Sequence, residues 1–252
     1  MDSVALTFGF KKQTDIALLI NETVKTLRLL LDYGKEPAQE YPKALWDRTL
    51  AKRIWTHRNA PGSYPKDFVP ETECPNKFSD SELDIISRKI EYIEETLDLS
   101  IMTSDSAVCS PFGERIYLPW IGAFNSKNDF FHVLFHELAH WTGSPLSRVL
   151  SGEKFSEDWN KEELIAELAS LTIGEIVGTK TKYIELIAYQ YMLRYLYKIE
   201  SPKRIEVLLS AADSAKEAVQ IIFKEIPLLF SESDLIGKVR RPVPNPVKGC
   251  FE

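Results

Sequence analysis

Cysteine is scarce in this chain, with three among 252 residues. Cys74, Cys109 and Cys250 are far apart in the sequence, and no two of them form a C-x-x-C pair. This usage excludes a disulfide framework and is typical of reduced thiols. We therefore expect the protein to work in a reducing, cytoplasmic compartment.

Long apolar runs are also missing. No apolar stretch approaches the roughly 18 residues that indicate a membrane-spanning helix. The first residues, MDSVALTFGFKKQT, lack the basic-then-apolar order of a secretory signal. The sequence predicts a soluble protein with no membrane partner.

An excess of basic charge is absent as well. The net charge is −6 and the isoelectric point is about 5.4. Residues 1–100 carry 14 basic and 17 acidic side chains, so the N-terminal part is not a basic module. Net charge therefore does not support a nucleic-acid partner. Arg48, Lys52, Arg53 and Arg58 lie near two tryptophans and could bind phosphate, but we favour a solvated helix face.

The spacing of apolar residues is mostly helical. Apolar positions recur at steps of three and four in residues 13–33, 41–58 and 79–97. Ser79 precedes Glu82 by three residues, which is the spacing of a capping box. Later helices are predicted from residue 160 to 177, over 183–200, from Pro202 onward and over 215–225. We predict a loop over 143–159.

Two short strands are predicted between these helices. Residues 99–102 and 114–120 have strand character and are separated by a turn signal at 111–114. Pro119 either ends the second strand or confines it to a sheet edge. An edge strand beside the site described below could add an extended peptide by main-chain hydrogen bonding.

These elements predict an α+β fold that is mostly helical, with one small sheet. Four prolines and one glycine between residues 60 and 77 exclude regular structure there and suggest a boundary. We predict an N-terminal helical region with this proline-rich loop in residues 1–78. The main domain is predicted in residues 79–230 and a tail in residues 231–252.

The segment from Phe130 to Trp141, FFHVLFHELAHW, contains an H-E-x-x-H motif. On a helix, His136 and His140 lie one turn apart on one face, so both imidazoles can reach one metal ion, normally Zn²⁺. Glu137 projects about 100° away and can take a proton from a water at the open position of the metal. The surrounding residues are apolar, which places these polar groups in a core. The alternative is a set of ordinary buried histidines satisfied by backbone and a salt-bridged glutamate.

A catalytic zinc site needs a third protein ligand and one open position. Glu163 and Glu167 are four residues apart and share a helix face, whereas Glu162 is expected to face elsewhere. We predict Glu163 as the ligand and Glu167 as the acceptor of a ligand histidine's other ring N–H. The alternative for Glu163 is a capping-box role, with Asn160 as the N-cap residue.

Other polar residues near the motif are weaker candidates. His132 lies one turn before His136, but three histidines at four-residue steps span about 12 Å, too far for one tetrahedral ion. A packing role or a place at the rim of the site is the better interpretation of His132. His57 is interpreted as a loop or surface residue. Tyr191 and His132 are weak candidates for stabilising an oxyanion.

The joined motifs resemble a known family. They are Ile116-Tyr-Leu-Pro, FFHVLFHELAHWTG, Ser147-Arg148, KEELIAEL, YMLRYLYKIESPKR and LLSAADSAKEA. Together they are similar to the C-terminal zincin-like metallopeptidase domain of ArdC-type antirestriction proteins, over about residues 99–222. The resemblance implies zinc bound by His136, His140 and Glu163, with Glu137 as general base. The single-stranded-DNA-binding domain of that family is not recognisable in residues 1–95.

The leading hypothesis is a zinc-dependent hydrolase, most simply a peptidase acting on a peptide or protein. The alternative from another class is a non-catalytic antirestriction or DNA-associated binding protein that uses the zincin fold as a scaffold. A closed structural zinc site is a third alternative, against which the lack of a fourth plausible ligand argues. The sequence leaves the oligomeric state open.

Overall fold

The structure, a computed structural model, describes residues 3–37, 45–52, 78–110, 114–148 and 156–230. Several sequence-based predictions lie outside these residues. They include the proline-rich loop over 60–77, the tail over 231–252, His57, and the basic residues Arg53 and Arg58.

The described residues are predominantly helical, as predicted. The α-helices are α1 (Ser3–Asp32), α2 (Asp80–Leu97), α3 (Lys127–Trp141), α4 (Glu157–Val177), α5 (Lys182–Lys198) and α6 (Arg204–Glu225). Short 3₁₀ helices occupy Ile121–Ala123, Ser201–Lys203 and Pro227–Phe230. None of the helices in the described ranges is long and apolar enough to span a bilayer.

Local sequence signals set several helix ends. The Ser79 side chain accepts a hydrogen bond from the backbone of Glu82, and the Glu82 side chain accepts one from the backbone of Ser79, which confirms the predicted capping box. Helix α1 begins at Ser3, ten residues before the predicted start, and ends before Gly34, whose φ of 61° lies in the left-handed region. Of the helix predicted over 41–58, the structure describes helical residues 48–52.

Two predicted boundaries in the C-terminal half are wrong. Helix α4 begins at Glu157, because the Ser156 side chain caps it by accepting a hydrogen bond from the backbone N–H of Trp159. The predicted loop over 143–159 therefore ends sooner, and Asn160 is not the N-cap. The two segments predicted after Pro202 form one helix, α6, because nothing between residues 204 and 225 interrupts its apolar stripe.

A three-stranded sheet lies beside the helices. Strands β1 (Ser100–Ser104), β2 (Val108–Cys109) and β3 (Arg115–Pro119) are arranged in the order β1-β3-β2. Strand β3 pairs in parallel with β1 and antiparallel with β2. The prediction that Pro119 ends its strand is confirmed, whereas the alternative edge position is wrong, because β3 is central and β1 and β2 form the edges.

Helix α4 is the centre of the hydrophobic core. It packs against α3, α5 and α6, so it is apolar on several faces and buries Leu164, Ile165, Leu168 and Ile173 almost completely. Each such side chain contributes about 1.5–3 kcal/mol through burial. The predicted apolar stripe of α1 packs against α4 and α6 and joins the same core. The predicted domain boundary near residue 78 stays a prediction.

Candidate metal centre

Helix α3 carries the H-E-x-x-H motif into the core. The Ser126 side chain accepts a hydrogen bond from the backbone N–H of Asp129 and caps its N-terminus. The apolar residues of the segment, including Leu134 and Leu138, are buried on the sides of the helix that pack against the sheet and α4. Packing of the apolar residues therefore fixes the rotation of α3 and turns the two histidines of the motif toward α4.

The structure brings the three predicted ligands together. The Nε2 atoms of His136 and His140 are 3.2 Å apart. The carboxylate oxygens of Glu163 lie 3.6 Å from Nε2 of His136 and 3.8 Å from Nε2 of His140. The three donor atoms fall within 4.8 Å of one another. Two nitrogen ligands at tetrahedral angles on one zinc ion are about 3.3 Å apart, which is close to the distance between the two rings.

Two further carboxylates determine which ring nitrogen of each histidine faces this point. Oε2 of Glu167 lies 2.8 Å from Nδ1 of His136, and Oε1 of Glu162 lies 3.2 Å from Nδ1 of His140. An ionised carboxylate only accepts hydrogen bonds, so each Nδ1 carries the proton and each Nε2 presents a lone pair. Two lone pairs that face each other at 3.2 Å repel unless a proton or a metal ion lies between them. The donor set therefore fits a divalent metal ion with two imidazoles and one carboxylate.

Glu162 is a site residue that the sequence interpretation missed. It was expected to face elsewhere, but its carboxylate contacts both His140 and Arg148. Burial raises the pKa of Glu162, and hydrogen bonds from His140 and Arg148 outweigh that effect and hold the pKa at about 2. Because His136 and His140 are one turn apart, neighbouring residues of α4 can each reach a different ring. The adjacency of Glu162 and Glu163 indicates that Glu162 lies near the site, but its contact with His140 depends on the angle between α3 and α4.

His132 supports Glu167 instead of a metal. Its Nε2 lies 3.0 Å from Oε1 of Glu167, and its Nδ1 lies 2.9 Å from the hydroxyl of Ser170. The Ser170 hydroxyl also donates to the His132 carbonyl, over 2.7 Å. With both ring nitrogens engaged, His132 has none to offer an oxyanion. The contacts of His132 therefore agree with a packing role. They do not agree with a role in stabilising an oxyanion.

Glu167 is completely enclosed by this arrangement. Burial raises its pKa, but His132 and His136 outweigh burial and hold the pKa well below its ordinary value. The same contacts act on His136, where burial lowers the pKa while Glu163 and Glu167 hold it well above its ordinary value. A metal ion would replace the proton that these carboxylates attract.

Glu137 is buried near the two histidines, with 4% of its surface exposed. Burial raises the pKa of its carboxyl, whereas His136 and His140 lower it, and the net effect is a raised pKa. The backbone of Cys109, on edge strand β2, hydrogen-bonds this carboxylate. Oε2 of Glu137 has no hydrogen-bond partner among the described residues. A buried carboxylate with a raised pKa and a free oxygen is suited to accept a proton.

An aromatic group borders the carboxylate of Glu163. The Tyr195 side chain hydrogen-bonds Glu163, and burial together with this carboxylate raises the pKa of Tyr195. The Tyr195 ring lies against Trp159 at 5.5 Å and Tyr191 at 5.8 Å between centroids. Tyr191, the weak candidate, therefore lies next to the tyrosine that contacts the site. Tyr195 was missed, although its position one turn after Tyr191 was the available signal.

A buried thiol lies near the carboxylates of the site. Cys109 is buried, and burial, followed by the charges of Glu137 and Glu162, raises the pKa of its thiol to about 12. Its thiol is therefore protonated at neutral pH and is a poor nucleophile or metal ligand.

Comparisons with known proteins agree with this geometry. Residues 89–213 match the family model of the zincin-like metallopeptidases. Two curated relatives, both named DNA primase TraC from Escherichia coli, are 30% identical over 148 residues and 36% identical over 114 residues. These alignments cover 58% and 44% of this chain but 13% and 8% of the relatives, so the chain spans a small part of their length.

A solved structure is also similar. It is the Mn(II)-bound antirestriction ArdC protein from the R388 plasmid, with 25% sequence identity and a TM-score of 0.42. The alignment covers 66% of this chain and 59% of that chain. The family match and the donor set support the predicted divalent metal, with which Zn²⁺ is consistent. The predicted resemblance to a zincin-like metallopeptidase domain is confirmed by the family match over residues 89–213.

Proposed function

We propose that this chain is a zinc-dependent hydrolase, most simply a peptidase, with the ion held by His136, His140 and Glu163. One observation carries the proposal: the buried carboxylate of Glu137 is placed beside two imidazoles whose Nε2 atoms are 3.2 Å apart and converge with Glu163. Three protein ligands leave one coordination position for a water or a substrate, which is the arrangement of catalytic zinc sites.

The residues of the chain have separate tasks in this reaction. A bound divalent ion supplies Lewis-acid polarisation of the scissile carbonyl and lowers the pKa of water. Glu137 takes the proton of the attacking water on its unpaired oxygen and passes it to the leaving nitrogen. The oxygen of Glu137 that has no hydrogen-bond partner among the described residues suits both steps, because it can hold the proton between them. Glu162 and Glu167 keep the two imidazoles in the tautomer that presents Nε2.

Replacement of Glu137 by Gln tests this assignment. The variant keeps the size of the side chain and the three metal ligands, so zinc content measured after dialysis should equal that of the wild type. Cleavage of a peptide library, followed by mass spectrometry, should fall by about 10²–10⁴-fold, which is the usual contribution of a general base. Glu157→Gln, an exposed change on α4, is the control. If Glu137→Gln cleaves as fast as the wild type, the mechanism is wrong.

A second candidate function follows from the names of the relatives, which are called DNA primases. In this alternative the domain is a scaffold that binds DNA without turnover. Arg48 and Lys52 are exposed on the helical turn over 48–52, and the Arg48 guanidinium lies 5.7 Å from the centre of the Trp46 ring. Salt-dependent binding to a single-stranded oligonucleotide that Glu137→Gln leaves unchanged, together with no cleavage by the wild type, would favour this alternative.

A further inference from the structure

The turn after the metal helix directs one arginine back toward the site. The backbone N–H of Arg148 donates to the Gly143 carbonyl over 2.7 Å. A Cβ atom at Gly143 would lie 2.9 Å from the His140 carbonyl oxygen, so this close approach requires glycine. Ser147 has a φ of 55°, a left-handed conformation that costs a non-glycine residue about 1–2 kcal/mol. The chain therefore accepts local strain that places Arg148 against α3 and α4.

The Arg148 guanidinium makes two kinds of contact. Nε and Nη2 donate to the two oxygens of Glu162 over 3.1 Å each, which is a bidentate pair. Nη2 also donates to the Ala139 carbonyl and to the Thr142 hydroxyl, over 2.9 and 3.0 Å. The second set lies at the C-terminus of α3, where the Thr142 hydroxyl also donates to the Ala139 carbonyl and a positive charge is favourable.

The contact with Glu162 continues to the metal site. Oε1 of Glu162 is the oxygen that accepts from Nδ1 of His140. The side chains of Arg148 and Glu162 are 14% and 9% exposed, so solvent screens this pair little. A bidentate arginine fixes the plane of the carboxylate, and the carboxylate fixes the ring and tautomer of His140. A lysine would supply the positive charge but could not form the bidentate pair with the carboxylate.

We propose that Arg148 is a positioning residue that holds His140 Nε2 in place as a metal donor by clamping Glu162. This inference rests on the proposed metal site and deepens it. The alternative role for Arg148 is structural, as a cap on the C-terminus of α3. The two roles predict different behaviour, because a cap stabilises the fold with or without metal, whereas a clamp on Glu162 changes metal affinity.

The test compares the zinc affinity of full-length variants by competition with a chromophoric chelator. Arg148→Lys keeps the charge and loses the bidentate pair, so we expect zinc affinity to fall about tenfold, the lower end for groups behind a ligand. Glu162→Gln should lower zinc affinity by at least as much. The double variant should bind zinc about as tightly as Glu162→Gln alone, because Arg148 acts through Glu162.

A control separates these effects from general loss of stability. Arg204→Lys removes another guanidinium, a half-buried one, which donates to the Ile199 carbonyl and lies 4.4 Å from the centre of the Tyr197 ring. We expect this half-buried arginine, when replaced, to lower the melting temperature without changing zinc affinity. In the zinc-loaded wild type, nuclear magnetic resonance should show a slowly exchanging Nδ1–H on His140, and Arg148→Lys should accelerate that exchange.

Each contrary outcome has one meaning. If Arg148→Lys lowers the melting temperature of the metal-free protein but binds zinc like the wild type, Arg148 is only a cap and the inference is overturned. Additive losses in the double variant would also overturn it. A wild type that binds no zinc would overturn this inference and the metal site together. A wild type that binds zinc but cleaves nothing would remove the hydrolase function and leave the role of Arg148 intact.

Discussion

Replacement of Glu167 by Gln should weaken metal binding without removing any ligand. The carboxylate accepts hydrogen bonds from the half-buried ring of His136 at 2.8 Å and from the buried ring of His132 at 3.0 Å. An amide of the same shape has one acceptor oxygen, and its NH₂ group must face the N–H of one of the two rings. Either His136 loses its acceptor and turns to the other tautomer, or His132 is left facing a donor.

The size of the effect follows from these contacts. A buried hydrogen bond to a charged group contributes about 1.5–3 kcal/mol, so the loss of one lowers the stability of the fold by a similar amount. Metal affinity should fall by 10–100-fold, which is typical for groups that orient a ligand histidine. That range corresponds to about 1.4–2.7 kcal/mol of binding free energy. Replacement of a direct ligand such as Glu163 should lower metal affinity further.

Isothermal titration with zinc, or competition with a chelator, measures this loss. Glu175→Gln is the matched control, because it makes the same chemical change on the same helix and its side chain is 42% exposed in an ion pair with Lys180. The control should bind zinc like the wild type. Equal zinc affinity for Glu167→Gln and the wild type would refute the view that Glu167 orients His136.

Three other predictions concern stability and reactivity. Ser79→Ala removes the reciprocal cap of α2 and should cost about 1 kcal/mol, measured by urea unfolding; an unchanged midpoint would contradict it. The pKa of Glu162 is lowered from 4.5 to about 2, so its stabilisation is present above pH 4.5 and is lost as the pH falls to 2. In the metal-free protein, this loss of unfolding free energy is up to about 3 kcal/mol, and Glu162→Gln should abolish it. With the two other cysteines changed to serine, the Cys109 thiol should resist a thiol reagent at pH 8 until urea unfolds the chain; rapid labelling of the folded protein would contradict its burial.

The parts of the site that were predictable are those set by periodicity within one helix. The four-residue step from His136 to His140 fixes a common face, and the step from Glu163 to Glu167 fixes another. The capping box of α2 was predictable for the same reason, because both partners lie within one turn. The outcome at Asn160 shows the limit of such signals, since a cap four residues earlier, at Ser156, competed successfully.

The parts that were not predictable depend on how two elements cross. Glu162 reaches His140 only because of the angle at which α4 meets α3, and no spacing within either helix contains that angle. Arg148 reaches Glu162 through a turn that needs the left-handed conformation of Ser147, which serine rarely adopts. The central position of β3 likewise depends on its pairing with two strands. A proline at the end of a strand, such as Pro119, is compatible with either an edge or a central strand.

The charges of the site fit a divalent metal ion. Glu162, Glu163 and Glu167 have lowered pKa values, so two buried negative charges and one half-buried negative charge surround the two imidazoles. The Arg148 guanidinium is paired with Glu162, which leaves two carboxylates to be balanced. In the metal-free protein they attract protons to the rings, as the raised pKa of His136 shows. A divalent cation would balance those two charges while keeping both Nδ1 protons and both hydrogen bonds in place.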